Sequence, residues 1–158
     1  MDKAEFTKRV LAMESRLYRV SMSMLFDEAD ACDAVQEAVA KAYLKKDSLR
    51  AEKYFETWLT RILINACRDV QRGRRDEPEP YENTAAPTTD IETRMDIDAA
   101  LKQLPEKYRL PLVMRYYKMY TLSEISTILQ LPEALIKSRL HQGRKALKMM
   151  LGGDYLEG

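Results

Sequence analysis

Basic side chains recur at helical spacing in the C-terminal third of the chain. If this segment is helical, one face carries Lys137, His141, Arg144 and Lys148. Ser138 and Lys145 lie beside that face. Cations spaced in this way can neutralise successive phosphates, and neighbouring polar groups can hydrogen-bond to base edges. The pattern therefore predicts contact with a nucleic acid. The alternative is an ordinary helix with a solvated basic face.

A second row of polar side chains lies in the N-terminal half. Its members share one face of a predicted helix: Arg61, Asn65, Arg68 and Arg72, with Arg74 and Arg75 extending it. Arginine and asparagine at this spacing suit phosphates and base edges. Aromatic residues gather at the start of the same helix, and large rings mostly serve burial, so we expect them in the core: Tyr54, Phe55 and Trp58.

Catalysis and metal binding find little support in the sequence. His141 is the only histidine, and Cys32 and Cys67 fit no zinc or redox spacing, so we expect both cysteines to be buried small hydrophobes. The chain has no glycine-rich phosphate loop and no nucleophile–base constellation. We therefore predict no catalytic residue, no metal, no cofactor and no small-molecule substrate.

The C-terminal basic face requires a helix to carry it, and residues 121–147, TLSEISTILQLPEALIKSRLHQGRKAL, predict two. Thr121 and Glu124 have the spacing of a capping box at the start of the first helix. Pro132 suits the first position of the second helix, where a missing N–H costs little. Two short helices, a tight turn and a basic outer face describe a helix-turn-helix. An ordinary helical hairpin is the alternative.

The N-terminal part predicts three helices that pack as a small bundle. Apolar periodicity places them at about 3–25, 30–46 and 54–72, and acidic residues 27–30 can cap the second. The exposed side of the second helix carries Asp33, Gln36 and Glu37. On the residues alone, this acidic and amide face is an ordinary solvated surface.

An acidic segment separates the two helical groups. Residues 76–89, DEPEPYENTAAPTT, hold three of the six prolines and almost no aliphatic side chains, which predicts a flexible linker. Formal charge is +3 for residues 1–75, −6 for 76–96 and +4 for 97–158, although the whole chain carries only +1. Charge is therefore segregated along the chain.

Two more helices are predicted between this linker and the helix-turn-helix. The first ends before Pro105, and the second contains Pro111, where we expect a kink or a restart. The second is predicted to turn one set of residues inward and another outward: Tyr108, Leu112, Val113 and Tyr116 inward, and Arg109, Arg115 and Lys118 outward.

The predicted fold is all-α, with a three-helix N-terminal bundle and a four-helix C-terminal domain that contains the helix-turn-helix. The predicted domains are residues 1–75 and 97–152, and 76–96 form the linker. The N-terminus has charges where a signal peptide has an apolar run, and no stretch approaches the about 20 apolar residues that span a bilayer. We therefore expect a cytoplasmic protein.

With both halves considered, the chain resembles a bacterial RNA polymerase sigma factor of the extracytoplasmic-function (ECF) group in the sigma-70 family. The resemblance in the first half rests on LYRVSMSML, DEADACDAVQEAVAKAY and FETWLTRILINACRD. In the second half it rests on LPEKYRLPLVMRYY, TLSEISTILQLP and IKSRLHQGRKAL. The match covers about 17–75 and 97–150, so only the linker and the tails lie outside it.

The resemblance implies a partner for each surface. Asp33, Gln36 and Glu37 would bind the largest subunit of core RNA polymerase. The melted non-template strand of the minus-ten element would be held by Leu49, Arg50, Arg61, Asn65 and Arg68. The minus-thirty-five element of promoter DNA would be contacted by Lys137, Ser138, Arg139, His141, Gln142 and Arg144. An anti-sigma factor that holds the protein inactive is a further partner implied by the resemblance alone.

The sequence departs from the family pattern at four positions. Gln130 and Ala134 stand near the turn where the family often has glycine, so Gln130 must accept a tight turn. Leu49 stands in place of a frequent aromatic residue, which weakens any stacking role, and Gln142 replaces a frequent arginine. We also expect Arg139 to point inward or to pair with the preceding helix.

These sequence features are compatible with three functions. The first is a dissociable initiation subunit that recruits core polymerase, directs promoter recognition and traps the opened strand. The second is a helix-turn-helix regulator that binds an operator without recruiting polymerase. The row of Arg61 and Asn65 beside the acidic face favours the first, because a simple repressor does not need it. The third, an enzyme, lacks a recognisable site.

Overall fold

The computed structural model describes residues 1–75, 96–117 and 119–152, which form helices and connecting turns without a β-strand. The N-terminal block (residues 1–75) contains α1 Lys3–Ala12, α2 Glu14–Leu25, α3 Glu28–Leu44 and α4 Phe55–Arg75, with short 3-10 helices at Lys46–Ser48 and Glu52–Tyr54. The C-terminal block (residues 96–152) contains α5 Ile97–Gln103, α6 Glu106–Tyr116, α7 Leu122–Leu129 and α8 Glu133–Met150. The all-α prediction is confirmed. Most of the predicted linker lies outside the described residues, as does Lys118. Every helix in the described ranges is too short or too polar to cross a membrane.

The helix predicted over residues 3–25 is divided at Met13. This residue ends α1 with φ −101° and ψ 0°, and its N–H donates to the carbonyl of Val10 at 3.0 Å. No glycine or proline marks the break, so the sequence offered no local signal for it. The apolar spacing nevertheless persists across it, because Phe6, Met13, Leu17 and Met24 are all buried. The N-terminal block therefore contains four helices instead of the predicted three, and α1 and α2 share one stripe of core residues.

The helix α3 begins at the predicted cap and buries a face made of small residues. The carboxylate of Asp27 accepts a hydrogen bond from the N–H of Asp30 at 2.8 Å. The buried face of α3 consists of Ala31, Ala34, Ala38 and Ala42. Cys32 lies off this face and is exposed, so the prediction that it is buried was wrong. Cys67 is buried as predicted, and burial raises the pKa of its thiol.

The predicted helix-turn-helix is present as α7 and α8. Thr121 and Glu124 form the predicted capping box, in which the side chain of each accepts the backbone N–H of the other. Gln130 adopts the left-handed conformation, with φ 56°, and the N–H of Leu131 donates to the carbonyl of Ser126 at 3.1 Å. The turn is therefore closed by backbone hydrogen bonds that offset the cost of a left-handed non-glycine residue.

The helix α6 packs against α2 of the N-terminal block and against α8 of the C-terminal block. It continues through Pro111 without the predicted restart. All residues from 109 to 114 are buried, including Arg109, which the sequence placed outward. Tyr116, predicted inward, is 54% exposed. These two predictions were wrong because a helix covered on several sides has no single polar face.

The two blocks contact each other through polar groups as well as apolar ones. The Arg109 guanidinium donates from Nε to the carbonyl of Ser23 at 2.7 Å, across the boundary between the blocks. Gln71 donates to the carboxylate of Glu106 at 2.6 Å, and the Tyr120 hydroxyl shares a buried hydrogen bond with Thr60. Burial raises the pKa of Tyr120 and lowers that of Arg109. The blocks therefore form a closed arrangement, which nothing in the sequence had indicated.

Gly143 allows α8 to approach α6 closely. A Cβ atom at this position would lie 2.6 Å from Cδ1 of Leu112 and 3.1 Å from its Cγ. We expect Gly143→Val to lower the free energy of unfolding by about 1–2 kcal/mol, because overpacking outweighs the gain in helix propensity. Urea unfolding measures this change.

Gly73 provides the matched control for this substitution. A Cβ atom there would have no neighbour within 4 Å, so we expect Gly73→Val to leave the stability unchanged or slightly raised. If the two substitutions changed the free energy of unfolding equally, the close approach of α8 to α6 at Gly143 would not contribute to stability.

Candidate nucleic-acid interface

The helix α4 presents a row of polar side chains on the side opposite its buried face. Its buried side consists of Phe55, Leu59, Thr60, Leu63, Ile64, Ala66 and Cys67. Arg61, Asn65 and Arg68, which the sequence assigned to the melted strand, are all exposed. Within the described part of the chain, none of these three side chains forms a hydrogen bond or an ion pair. They are therefore available for phosphates and base edges.

The C-terminal end of this row is partly engaged within the protein. Arg72 is paired with Asp69 one turn earlier on α4. Arg74 donates to the carbonyl of Leu25 at 2.9 Å and to the carboxylate of Asp30 at 2.5 Å. The prediction that Arg74 extends the exposed row was wrong, because this side chain ties α4 to the end of α2 and the start of α3. The accessible row is thus shorter than the sequence suggested.

The connector between α3 and α4 (residues 45–54) leads directly into this row. Leu49 is half-buried and packs against the core, whereas Arg50 is exposed. The backbone of Leu49 is extended, with φ −68° and ψ 123°, between the two short 3-10 helices. Leu49 therefore packs part of its side chain against the core and keeps part of it accessible, and the Arg50 side chain lies in solvent.

The acidic face of α3 is exposed as its spacing predicted. Asp33, Gln36 and Glu37 all face solvent, and Glu37 pairs with Lys41 at 3.4 Å. A shallow depression of about 350 Å³ between α3 and α4 is lined by Asp33, Glu37 and Lys41 and also by Asp69 on α4. The arrangement offers carboxylates to a basic partner without burying them.

The helix α8 exposes most of the predicted basic face. Lys137, Ser138, His141 and Gln142 are exposed, and the opposite side of α8 is buried through Ile136, Leu140, Gly143 and Leu147. Arg139 is half-buried beside the core face, in line with its expected inward orientation. Arg144 is exposed at the edge of α8, where it lines a small pocket with Arg115 and Tyr116 of α6. An exposed face with these side chains can position a helix on DNA.

The candidate residues thus fall into two groups on different blocks. The α3 face, the connector and the α4 row belong to the N-terminal block, and the α8 face belongs to the C-terminal block. Sequence reasoning missed Arg109 and Tyr120, which join the blocks. The uninterrupted apolar run from Leu110 to Met114 was a signal that α6 is covered on several sides, because a helix that is apolar all round is buried, but it does not identify the elements that cover it.

Comparisons with known families match both blocks. The family described as sigma-70 region 2 matches residues 10–77, and sigma-70, region 4 matches residues 94–147. The ECF RNA polymerase sigma factor SigW of Bacillus subtilis is 30% identical, over 95% of this chain and 90% of SigW. The RNA polymerase sigma-H factor of Pseudomonas aeruginosa is 31% identical, over 95% of this chain and 88% of that protein.

Solved structures support the same fold. The sigma factor RpoE from Bartonella quintana, in complex with the anti-sigma factor NepR, has a TM-score of 0.79 at 23% identity over 95% of this chain and 98% of RpoE. CnrH, in complex with the cytosolic domain of CnrY, has a TM-score of 0.73 at 21% identity over 97% of this chain and 91% of CnrH. At these identities, the likeness concerns the fold alone.

Proposed function

Because this chain belongs to the ECF group of the sigma-70 family of RNA polymerase sigma factors, we propose that its two blocks divide promoter recognition between them. The observation that carries the proposal is the pair of accessible polar surfaces, the α4 row on one block and the α8 face on the other. Core RNA polymerase and promoter DNA are the partners. The relatives are initiation factors, and no catalytic activity is part of the proposal.

The N-terminal block carries polymerase binding and capture of the opened strand. Its acidic α3 face, Asp33, Gln36 and Glu37, binds a basic surface on the largest polymerase subunit. The connector and the α4 row hold the non-template strand of the minus-ten element through Leu49, Arg50, Arg61, Asn65 and Arg68. A displaced base needs polar groups that read its edge, and its phosphates need nearby cations.

The C-terminal block binds the minus-thirty-five element as a duplex, with α8 in the major groove. Lys137, Ser138, His141 and Gln142 are its exposed contacts, and Arg144 lies at the edge of the same surface. Arg139 contributes through packing at the side of the helix, since it is half-buried. In this assignment the base contacts specify the sequence and the lysine and arginine contacts set the affinity.

A regulator that binds an operator without polymerase is the competing function. It needs the α8 face but leaves the α4 row and the α3 face without a role. Run-off transcription with purified core polymerase and genomic promoter fragments, with and without this protein, separates the two. We expect discrete new transcripts that require both blocks. Binding to DNA fragments without any new transcript would favour the regulator.

Two further assignments follow from the same proposal. The protein acts in the cytoplasm, where it meets core polymerase and DNA. An anti-sigma factor covers its polymerase-binding and DNA-binding surfaces when the protein is inactive. RpoE and CnrH, the similar solved structures, were each determined with a bound protein, which motivates a search for such a partner by affinity capture followed by inhibition of transcription.

We predict that Lys137→Ala weakens binding to a minus-thirty-five duplex and lowers its salt dependence. Lys137 is exposed on α8, and a lost phosphate contact releases fewer counterions, so the slope of log K against log salt should fall by about one unit at most. Fluorescence anisotropy across a salt series measures the slope. Lys8→Ala, an exposed lysine on α1, is the control and should leave the slope unchanged. The same slope for the Lys137 variant and the unmodified protein would remove Lys137 from the phosphate contacts.

A further inference from the structure

Arg9 of α1 makes an unusual set of contacts with a distant part of the chain. Its Nη1 donates to the backbone carbonyl of Glu52 at 3.0 Å, and its Nη2 donates to the carboxylate of the same residue at 3.0 Å. Its Nε donates to Glu5 on α1 at 2.9 Å. The guanidinium carbon also lies 5.7 Å from the ring centre of Phe55. The Nε, Nη1 and Nη2 atoms of the Arg9 guanidinium therefore all donate hydrogen bonds.

These contacts bind the C-terminal end of the connector. Glu52 begins the 3-10 helix Glu52–Tyr54, which follows Leu49 and Arg50 after one residue and precedes α4. The pair with Glu5 orients the guanidinium so that both terminal nitrogens point at Glu52. A rigid planar fork that holds a backbone carbonyl and a carboxylate together fixes the path of the chain as well as one side chain.

The helix that carries Arg9 is itself held firmly against the connector. Phe6 is buried, and its ring packs edge-on against Tyr43 at the end of α3 and against Phe55 at the start of α4, at 5.4 and 5.8 Å. These two ring contacts lie on either side of the connector. The helix α1 is therefore packed against the residues that precede and follow the connector, and so its position relative to the connector is fixed.

The Arg9 side chain is 30% exposed, as is typical of a surface ion pair. Exposed pairs of this kind contribute little to global stability. The contact is therefore poorly suited to holding the fold together and well suited to fixing a local geometry.

We propose that Arg9 is a positioning residue for reading the minus-ten element: it fixes the connector in the conformation that receives a single-stranded base. The proposal rests on the assignment of Leu49 and Arg50 to the melted strand. Arg9 itself does not contact DNA. Its effect is to make the connector discriminate between bases, because a loop that can change its path accommodates several bases equally well.

The first test measures the connector in the free protein. We expect amide hydrogen exchange in residues 45–54 to become about fivefold faster in Arg9→Ala, since an exposed ion pair of this kind is worth about 1 kcal/mol, which corresponds to about fivefold in the opening equilibrium. Arg9→Lys should restore part of the protection. Arg16→Ala is the matched control, because Arg16 forms an ion pair with Glu56 at 3.0 Å and is 35% exposed, but it binds α4 instead of the connector. Unchanged exchange in Arg9→Ala would overturn the proposal.

The second test measures discrimination by the holoenzyme. Transcription is compared on promoters in which each non-template base of the minus-ten element is changed in turn. One base of the minus-ten element contacts the connector in this proposal. At that position, we expect Arg9→Ala to lower the preference for the best base over the other three about fivefold. Binding to core polymerase and to a minus-thirty-five duplex should be retained. An equal loss on all promoters, or undiminished discrimination, would contradict the positioning role. Absence of transcripts with the unmodified protein would instead refute the proposed function, and the exchange measurement would still report on the contact.

Discussion

Replacing Arg109 with alanine is expected to lower the free energy of unfolding by about 3 kcal/mol, from the loss of two charge-assisted hydrogen bonds in a buried site. The guanidinium donates to the carbonyl of Ser23 at 2.7 Å and to that of Leu104 at 2.6 Å, and it stacks 4.6 Å from the ring centre of Phe26. Alanine would leave both carbonyls without this donor and would open a cavity between α2 and α6. Urea unfolding of the full chain measures the change.

The position of Arg109 at the end of α2 explains the size of the expected effect. The last carbonyls of a helix have no partner within it, and its C-terminus attracts positive charge. Each of the last three carbonyls of α2 is satisfied by a side chain from elsewhere: Ser23 by Arg109, Met24 by Gln71 and Leu25 by Arg74. Arg109 is the member of this set that comes from the C-terminal block, so its removal should also loosen the closed arrangement.

Small-angle scattering and two companion variants separate these effects. We expect the radius of gyration of Arg109→Ala to rise under conditions in which the helices remain folded. Arg109→Lys keeps the charge but cannot reproduce the planar fork, so it should be intermediate. Lys107→Ala, an exposed lysine on the same helix, should change stability by no more than about 0.5 kcal/mol. If Arg109→Ala were as mild as Lys107→Ala, the contact would not join the blocks.

The second large effect is expected at Asn65, in promoter opening. Asn65→Ala should reduce formation of the open complex by about 5- to 150-fold, which corresponds to the loss of 1–3 kcal/mol for a base-edge contact. Asn65 is exposed in the middle of the α4 row and its side chain forms no hydrogen bond within the described residues, so its truncation should leave stability unchanged. Open-complex formation can be followed with a fluorescent base analogue in the minus-ten element.

The same variant must leave duplex binding intact. We expect the affinity of Asn65→Ala for a closed minus-thirty-five fragment to equal that of the unmodified protein, because α8 lies on the other block. Gln103→Ala removes an exposed amide from α5 and should affect neither measurement. Equal losses in opening and in duplex binding would exclude Asn65 from strand capture and would point to a general effect on the fold.

Local patterns in the sequence were sufficient for most of the elements and surfaces. The capping box at Thr121 was correctly predicted, and the cap of α3 was placed within residues 27–30, where the structure puts it at Asp27. The exposed sides of α3, α4 and α8 were also correct at Glu37, Asn65 and Lys137. Capping and amphipathic periodicity operate over a few residues, so their outcome is already determined in a short window of sequence.

Errors occurred where distant residues decide the outcome. Arg109 and Arg74 were predicted on polar faces, but both donate to carbonyls at the end of α2, more than 40 residues away in sequence. Met13 interrupts a helix that has no local breaker. Cys32 is a different kind of error: it was placed in the core from its residue type, although helical spacing puts it off the alanine face of α3. The periodicity of apolar residues predicts which face of a helix is buried, but it does not show which other helix packs against that face.

The all-α class, the helix-turn-helix, the polar rows and the resemblance to ECF sigma factors could all be predicted from residue types and their spacing. These properties depend on the types and spacing of residues that are close in sequence, and such local patterns predict the same structure whatever the rest of the fold. The closed arrangement of the two blocks and the contacts of Arg9 with the connector could not be predicted and became visible with the packing of the helices. Both depend on hydrogen-bond donors meeting backbone carbonyls, and every residue offers such a carbonyl whatever its side chain. Which carbonyl a donor reaches is therefore set by the packing of the helices and leaves no trace in the local sequence.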